Sequence, residues 1–199
     1  MIRRLSCLLV LASMAAACGT EDPEDAGDPA LDPTVNALEA SGQVEFFVRV
    51  VGANGNVFSG ESNNARFRDS IPAIRYFSDV NKAAPNARTQ CTEFRFTKVV
   101  GAASPQLVAA VASGETLQSV HFDFVRANGT VFQEVDLAGV RLSQVEQAVA
   151  PPDDLSASVI LEEATLVPAA TATVTLTANP LNPDGSAGAA IVSTFTCRN

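Results

Sequence analysis

Residues 94–107 read Phe-Arg-Phe-Thr-Lys-Val-Val-Gly-Ala-Ala-Ser-Pro-Gln-Leu, and this stretch decides the fold. Ser104 is expected to cap a helix by accepting a backbone N–H, and Pro105 fits the first helical position. Leu107, Val108, Val111 and Ala112 then make one apolar face, which reads as core packing. Gly114 suits the left-handed position after the last turn. One short, well-signalled helix is therefore expected here.

Outward from this stretch the chain reads as strands. Val44, Phe46, Val48 and Val50 alternate with Glu45, Phe47, Arg49 and Val51, and Asn54-Gly55 supplies a hairpin turn. Residues 120–126 form a strand that Asn128-Gly129 turns into residues 130–137, and residues 139–145 form a further strand. Thr171, Thr173, Thr175 and Thr177 share one face, with Ala172, Val174, Leu176 and Ala178 on the other. Asp184-Gly185 turns the chain toward a last strand, residues 189–197. Many short strands and one helix predict a mainly β domain, a small barrel or sandwich.

The same residues resemble a known family, the Hcp proteins of the type VI secretion tube. Its pattern, a strand ending in F-x-F-T-K followed by A-S-P at a helix entry, stands here as residues 94–98 and 103–105. The resemblance continues through Leu107 and Ala109, the helix exit Ser113-Gly114-Glu115, and residues 120–125, 131–137 and 138–143. It closes on Pro183-Asp184-Gly185-Ser186-Ala187-Gly188 and residues 189–194. It implies a small, flattened, closed β-barrel with a helix on its side, and a non-catalytic subunit that joins identical copies into a hexameric ring. Secretion-apparatus proteins would be its further partners. Two stretches depart from the pattern. Residues 71–80 lack the S-F-S-W-G-like segment, and residues 58–70 differ from the loop that reaches the next ring in tube proteins.

The start of the chain points to export. Arg3 and Arg4 precede a short apolar run, residues 5–12, too short to span a bilayer. Ala15-Ala16-Ala17-Cys18 follows and reads as a lipobox, with Cys18 as the lipid attachment site. Ordinary cleavage that leaves Cys18 as a free thiol is the alternative. Residues 1–18 are thus expected to be a lipoprotein signal. Residues 19–40 carry seven acidic side chains, three prolines and no Lys or Arg, and read as an extended acidic tether. Residues 41–199 form the barrel domain. The expected location is extracytoplasmic, on a membrane of a Gram-negative bacterium, through the N-terminal lipid. Cys7 leaves with the signal. With Cys18 lipidated, Cys91 and Cys197 remain, and the family barrel sets both on its strands. They are expected to form a disulfide, the alternative being two reduced buried thiols.

Composition narrows the function. The residues from 41 onward carry 15 acidic and 11 basic side chains, a net charge of −4, so no basic excess draws nucleic acid. The single histidine, His121, reads as a sheet-face residue with an ordinary hydrogen bond. No G-x-S-x-G, Gly-rich phosphate loop, H-E-x-x-H or Cys-x-x-Cys occurs, and neither cofactor nor metal is expected. Glu162 and Glu163 should point to opposite faces of a strand. Asp153-Asp154 after Pro151-Pro152 reads as a solvated loop. Asp123, Glu134 and Asp136 would cluster across a hairpin, as a cation site or as a wet sheet face, and the wet face is the expectation. With no tryptophan and one tyrosine, Tyr76, an aromatic sugar platform is disfavoured. Two readings compete: an exported member of the tube family, or a lipid-anchored binding or adaptor module on the same barrel. An enzyme is disfavoured.

Overall fold

The computed structural model describes residues 44–150 and 159–198, all within the compact unit Ser41–Asn199. The expected signal, Cys18, the tether and Asp153-Asp154 lie outside the described residues. In chain order the elements are β1 (Glu45–Val51), a 3-10 turn (Ala65–Phe67), β2 (Ile71–Ala73), β3 (Arg75–Asn81) and β4 (Gln90–Val99). There follow α1 (Ser104–Ser113), β5 (Ser119–Val125), β6 (Val131–Ala150), β7 (Val159–Ala178) and β8 (Ile191–Arg198).

All pairings are antiparallel, in the order β2-β1-β5-β6-β7-β4-β3, with β8 also on β7. The two ends of this path are consecutive in the chain. Ile74 alone separates β2 from β3, and its N–H donates to the Thr97 carbonyl at 2.7 Å. One run of chain thus pairs first with β1 and then with β4, and the sheet curls into a half-barrel. Among the described residues this is the mainly β, barrel-like fold with one α-helix that the sequence predicts.

The inward side chains follow the period of two. Phe46, Val48 and Val50 of β1, Phe94 and Phe96 of β4, Val120 and Phe122 of β5, and Ala164 and Leu166 of β7 are buried together. Tyr76 joins them, edge-on to Phe122 and Phe124 with ring centroids 5.0 and 5.2 Å apart. Burial raises its phenol pKa above the usual value. Phe47 points to the opposite face of β1, yet it is also buried. Residues 58–70 fold back over that face, and Phe67 stacks on Phe47 with centroids 4.5 Å apart. Val125 and Val131 complete this second, smaller cluster.

The helix corrects three expectations. The capping position belongs to Ala103, which makes no side-chain cap bond; Ser104 is already helical, and Pro105 follows it inside the first turn. The Ser104 hydroxyl is drawn instead to buried partners described below. The buried stripe is Ser104, Leu107 and Ala110, while Val108 and Ala112 face solvent. A short helix lying on a curved sheet touches it along a narrow line, so residues one position further round rotate outward. The exit is as expected: Gly114 has φ 65° and donates to the Ala110 and Val111 carbonyls.

The separate strands expected at 130–137 and 139–145 are one strand, β6, bent at Gly139. Ala138 pairs with Thr173 of β7, but Val140 pairs with Pro168, so residues 169–172 stand opposite Gly139 alone. Gly139 has φ 73°, and a Cβ there would meet the Thr171 carbonyl oxygen at 2.5 Å. Gly129, in the β5–β6 turn, has φ 81° with open space around it. Gly129→Ala should therefore cost about 1–2 kcal/mol, the left-handed penalty alone. Gly139→Ala should cost a further ~1–3 kcal/mol for forced repacking. Urea unfolding of the two variants checks this; equal losses would refute the bend as the tighter constraint.

Candidate functional site

The most deeply buried polar group lies at the end of the stretch that decides the fold. Lys98 of β4 shares the inward parity of Phe94 and Phe96, and Glu162 of β7 shares that of Ala164 and Leu166. The two are register partners, with Nζ 3.1 Å from Oε1 and both side chains sealed from solvent. Nζ also donates to the Val99 carbonyl at 2.8 Å and to Ser104 Oγ at 2.9 Å. Glu162 Oε2 accepts from Gln147 Nε2 of β6 at 2.7 Å. The cluster binds β4, β6, β7 and the start of α1 together. Two hydrogen-bond acceptors and one carboxylate thus surround the ammonium. This accounts physically for the lysine and serine of the Phe-x-Phe-Thr-Lys and Ala-Ser-Pro signature. Sequence reading missed the pair; the signal was a shared parity with buried apolar neighbours.

Glu163 faces the opposite side, as expected. It meets Arg95 Nη1 at 3.2 Å, while Arg95 Nε lies 3.1 Å from Glu93 and the guanidinium covers the Phe77 ring at 4.4 Å. These groups are about a third exposed and act as a surface network of modest worth.

His121, Asp123, Glu134 and Asp136 come together on the outer face of β5 and β6. His121 is the register partner of Asp136, and Asp123 of Glu134. The imidazole lies between two carboxylates, with Nδ1 2.6 Å from Asp136 Oδ1 and Nε2 3.2 Å from Asp123 Oδ1. The hydrogen bond that His121 donates to Asp123 raises the His121 pKa to about 9, partial burial opposes this, and Asp136 adds to the rise. The structure thus gathers the three expected acids and adds His121. The sequence signal was the two-residue spacing that puts His121 and Asp123 on one strand face. Among the described residues, His121 contacts carboxylates rather than the hydroxyl or thiol of a nucleophilic pair.

Cys91 of β4 and Cys197 of β8 lie buried with Cα atoms 5.4 Å apart, within the span of a disulfide. They are 106 residues apart in sequence. Cys18 lies outside the described residues.

A curled antiparallel sheet with one helix held to its wall by a buried lysine defines a mainly β, half-barrel class of protein. The sequence pattern of the family described as "Type VI secretion system effector, Hcp" matches residues 47–177, and the chain belongs to that family. Solved structures agree in fold. A doubly substituted Hcp1 from E. coli EAEC 042 is 18% identical with a TM-score of 0.62, covering 77% of this chain and 99% of that one. Hcp1 from Salmonella typhimurium is 15% identical with a TM-score of 0.62, covering 77% and 95%. A type VI secretion system effector from Yersinia pestis is 17% identical with a TM-score of 0.58, covering 75% and 98%. No curated protein matches the chain.

The buried pair generates a sharp test. Lys98→Met alone leaves the Glu162 carboxylate buried without its counter-charge and should cost about 3–5 kcal/mol. The double change Lys98→Met with Glu162→Leu should be more stable than Lys98→Met alone. Thermal and urea unfolding of the set measure this; a double variant as weak as the single one would deny the pairing.

Proposed function

We propose that this chain is an exported, lipid-anchored and non-catalytic member of the Hcp family that associates with its own copies into rings, hexameric as the family resemblance implies. The family match over residues 47–177 carries the reading. Two further observations support self-association. β8 pairs along one side with β7, and β3 along one side with β4. Both strands carry exposed apolar side chains: Ile191 and Val192 on β8, Phe77 and Val80 on β3. Such strands invite pairing with another chain. Two different edges meeting head to tail would generate a ring when the rotation closes.

The export reading rests on the sequence of residues 1–18 and on the cysteine pattern. A buried Cys91–Cys197 disulfide suits an oxidising compartment. Cys18 would carry the lipid, residues 19–40 would hold the barrel off the membrane, and the compartment would be the envelope of a Gram-negative bacterium.

Residues 58–70 favour rings over long tubes. Phe67 is stacked on Phe47, Ser62 N–H donates to the Ser70 carbonyl, and Arg66 Nη1 donates to the Gly129 carbonyl. Glu61 Oε1 accepts from the Ala102 N–H at 2.7 Å. A segment fastened to its own barrel at these points is withdrawn from the loop's role between stacked rings. The same observation supports the second reading, a lipid-anchored binding or adaptor module unrelated to a secretion tube.

Residues 41–199, which contain every described element, should sediment as a discrete ring-sized species at micromolar to millimolar concentration, without long polymers. A strict monomer at the highest concentration would remove the ring and leave the adaptor module. Palmitate supplied to cells should label the wild type and not Cys18→Ser, and non-reducing peptide mapping should recover Cys91 linked to Cys197. An unlabelled wild type with two freely alkylated thiols would reject the export reading.

A further inference from the structure

We propose that His121, Asp123 and Glu134 form a binding site for a divalent transition-metal cation, Zn²⁺ being the best fit, with Asp136 as the positioning residue that holds the imidazole. The candidate donor atoms of the three ligands all lie within 4.8 Å of one another. All four residues sit on one antiparallel ladder, His121 opposite Asp136 and Asp123 opposite Glu134, so the backbone fixes their spacing.

The imidazole separates this cluster from an ordinary acidic patch. Asp136 Oδ1 accepts from Nδ1 at 2.6 Å, so Nε2 is the nitrogen that would ligate, the ion displacing the proton that Nε2 shares with Asp123. Metal-bound histidines almost always give their other ring N–H to such a partner, a carboxylate among them. Nε2 faces Asp123 Oδ1 at 3.2 Å. Two ligands bonded to a tetrahedral zinc ion at about 2.0–2.1 Å lie roughly 3.4 Å apart, so little movement is needed to admit the ion. One imidazole and two carboxylates suit zinc and its neighbours, whereas Mg²⁺ and Ca²⁺ prefer oxygen donors alone. The side chains of Asp123 and His121 are 13% and 29% exposed, so the ligands are partly shielded while one side stays open for a water as fourth ligand. Arg49 of β1 stands in register with His121 on the far side and leaves the carboxylates in excess.

His121 is the chain's one histidine, so its imidazole C–H signals report on the site without any substitution. In proton NMR of the intact full-length chain, stripped with chelator and kept in mild detergent, ZnCl₂ should move both ring signals and saturate near one ion per chain. Glu134→Gln should abolish the saturable shift while circular dichroism stays that of the wild type. Asp136→Asn should weaken binding about 10- to 100-fold. Ring signals that stay in place at millimolar ZnCl₂ would overturn the site. So would an equal shift with MgCl₂ or CaCl₂, which would mark an acidic patch only. Unchanged affinity in Asp136→Asn would overturn the positioning role.

Discussion

The bend at Gly139 is the constraint on which the rest of the barrel depends. β6 and β7 are each 20 residues long. Kept straight, such a strand would run roughly 65 Å, far beyond the dimension of a small domain. The hairpin must therefore turn a corner. It does so where one residue of β6, in a conformation that glycine tolerates, faces residues 169–172 of β7. The corner lets a single strand serve two neighbours: β7 pairs with β4 before it and with β8 after it. β8 then ends where Cys197 reaches Cys91 of β4, while β5 and the first part of β6 align the row that holds His121. Without the corner none of these partners would meet.

The Lys98–Glu162 pair acts on a different quantity. Burying two charges yields little net stability, because desolvation offsets most of the attraction. What it does penalise is error. A one-residue slip of β4 on β7 would turn Lys98 outward and leave Glu162 inside without its partner, and it would also expose Phe94 and Phe96. The pair is joined to α1 through Ser104, so the same penalty fixes where the helix begins. Register and helix placement are thereby one event, set within seven residues of sequence.

Much of this architecture was legible in the sequence, and the failures share a cause. The alternations in β1 and β7, the turns at Gly55, Gly129 and Gly185 and the helix exit at Gly114 are local, and local patterns report local chemistry. Ser104 was misread because a capping serine and a serine bound to a buried ammonium look the same in sequence. Val108 was misread because a hydrophobic stripe does not state how wide a contact its helix makes. The unity of β6 was hidden by Gly139, whose usual meaning is a turn and whose meaning here is a bend. The burial of Phe47 depends on Phe67, twenty residues away, and no periodicity reports that distance. At the candidate site the three acids were visible as a cross-hairpin cluster, whereas the part played by His121 required the measured register of β5 on β6.

The inner and outer halves of this barrel answer different questions. At identities of 15 to 18%, the relatives share the fold over nearly their whole length. Such agreement needs apolar inward positions and a curled sheet, and it demands little of the outward side chains. Fold membership is therefore carried by Phe46, Phe96, Phe122, Leu166 and their neighbours. What the protein meets is decided by the outward set: the edges of β3 and β8, the segment folded over Phe47, and the His121 row. The segment over Phe47 and the His121 row both lean on β5 and β6, whereas the β3 and β8 edges rest on β4 and β7. A chain can thus keep the interior of a tube subunit while its surface is turned to another use, and the surface is where its function has to be measured.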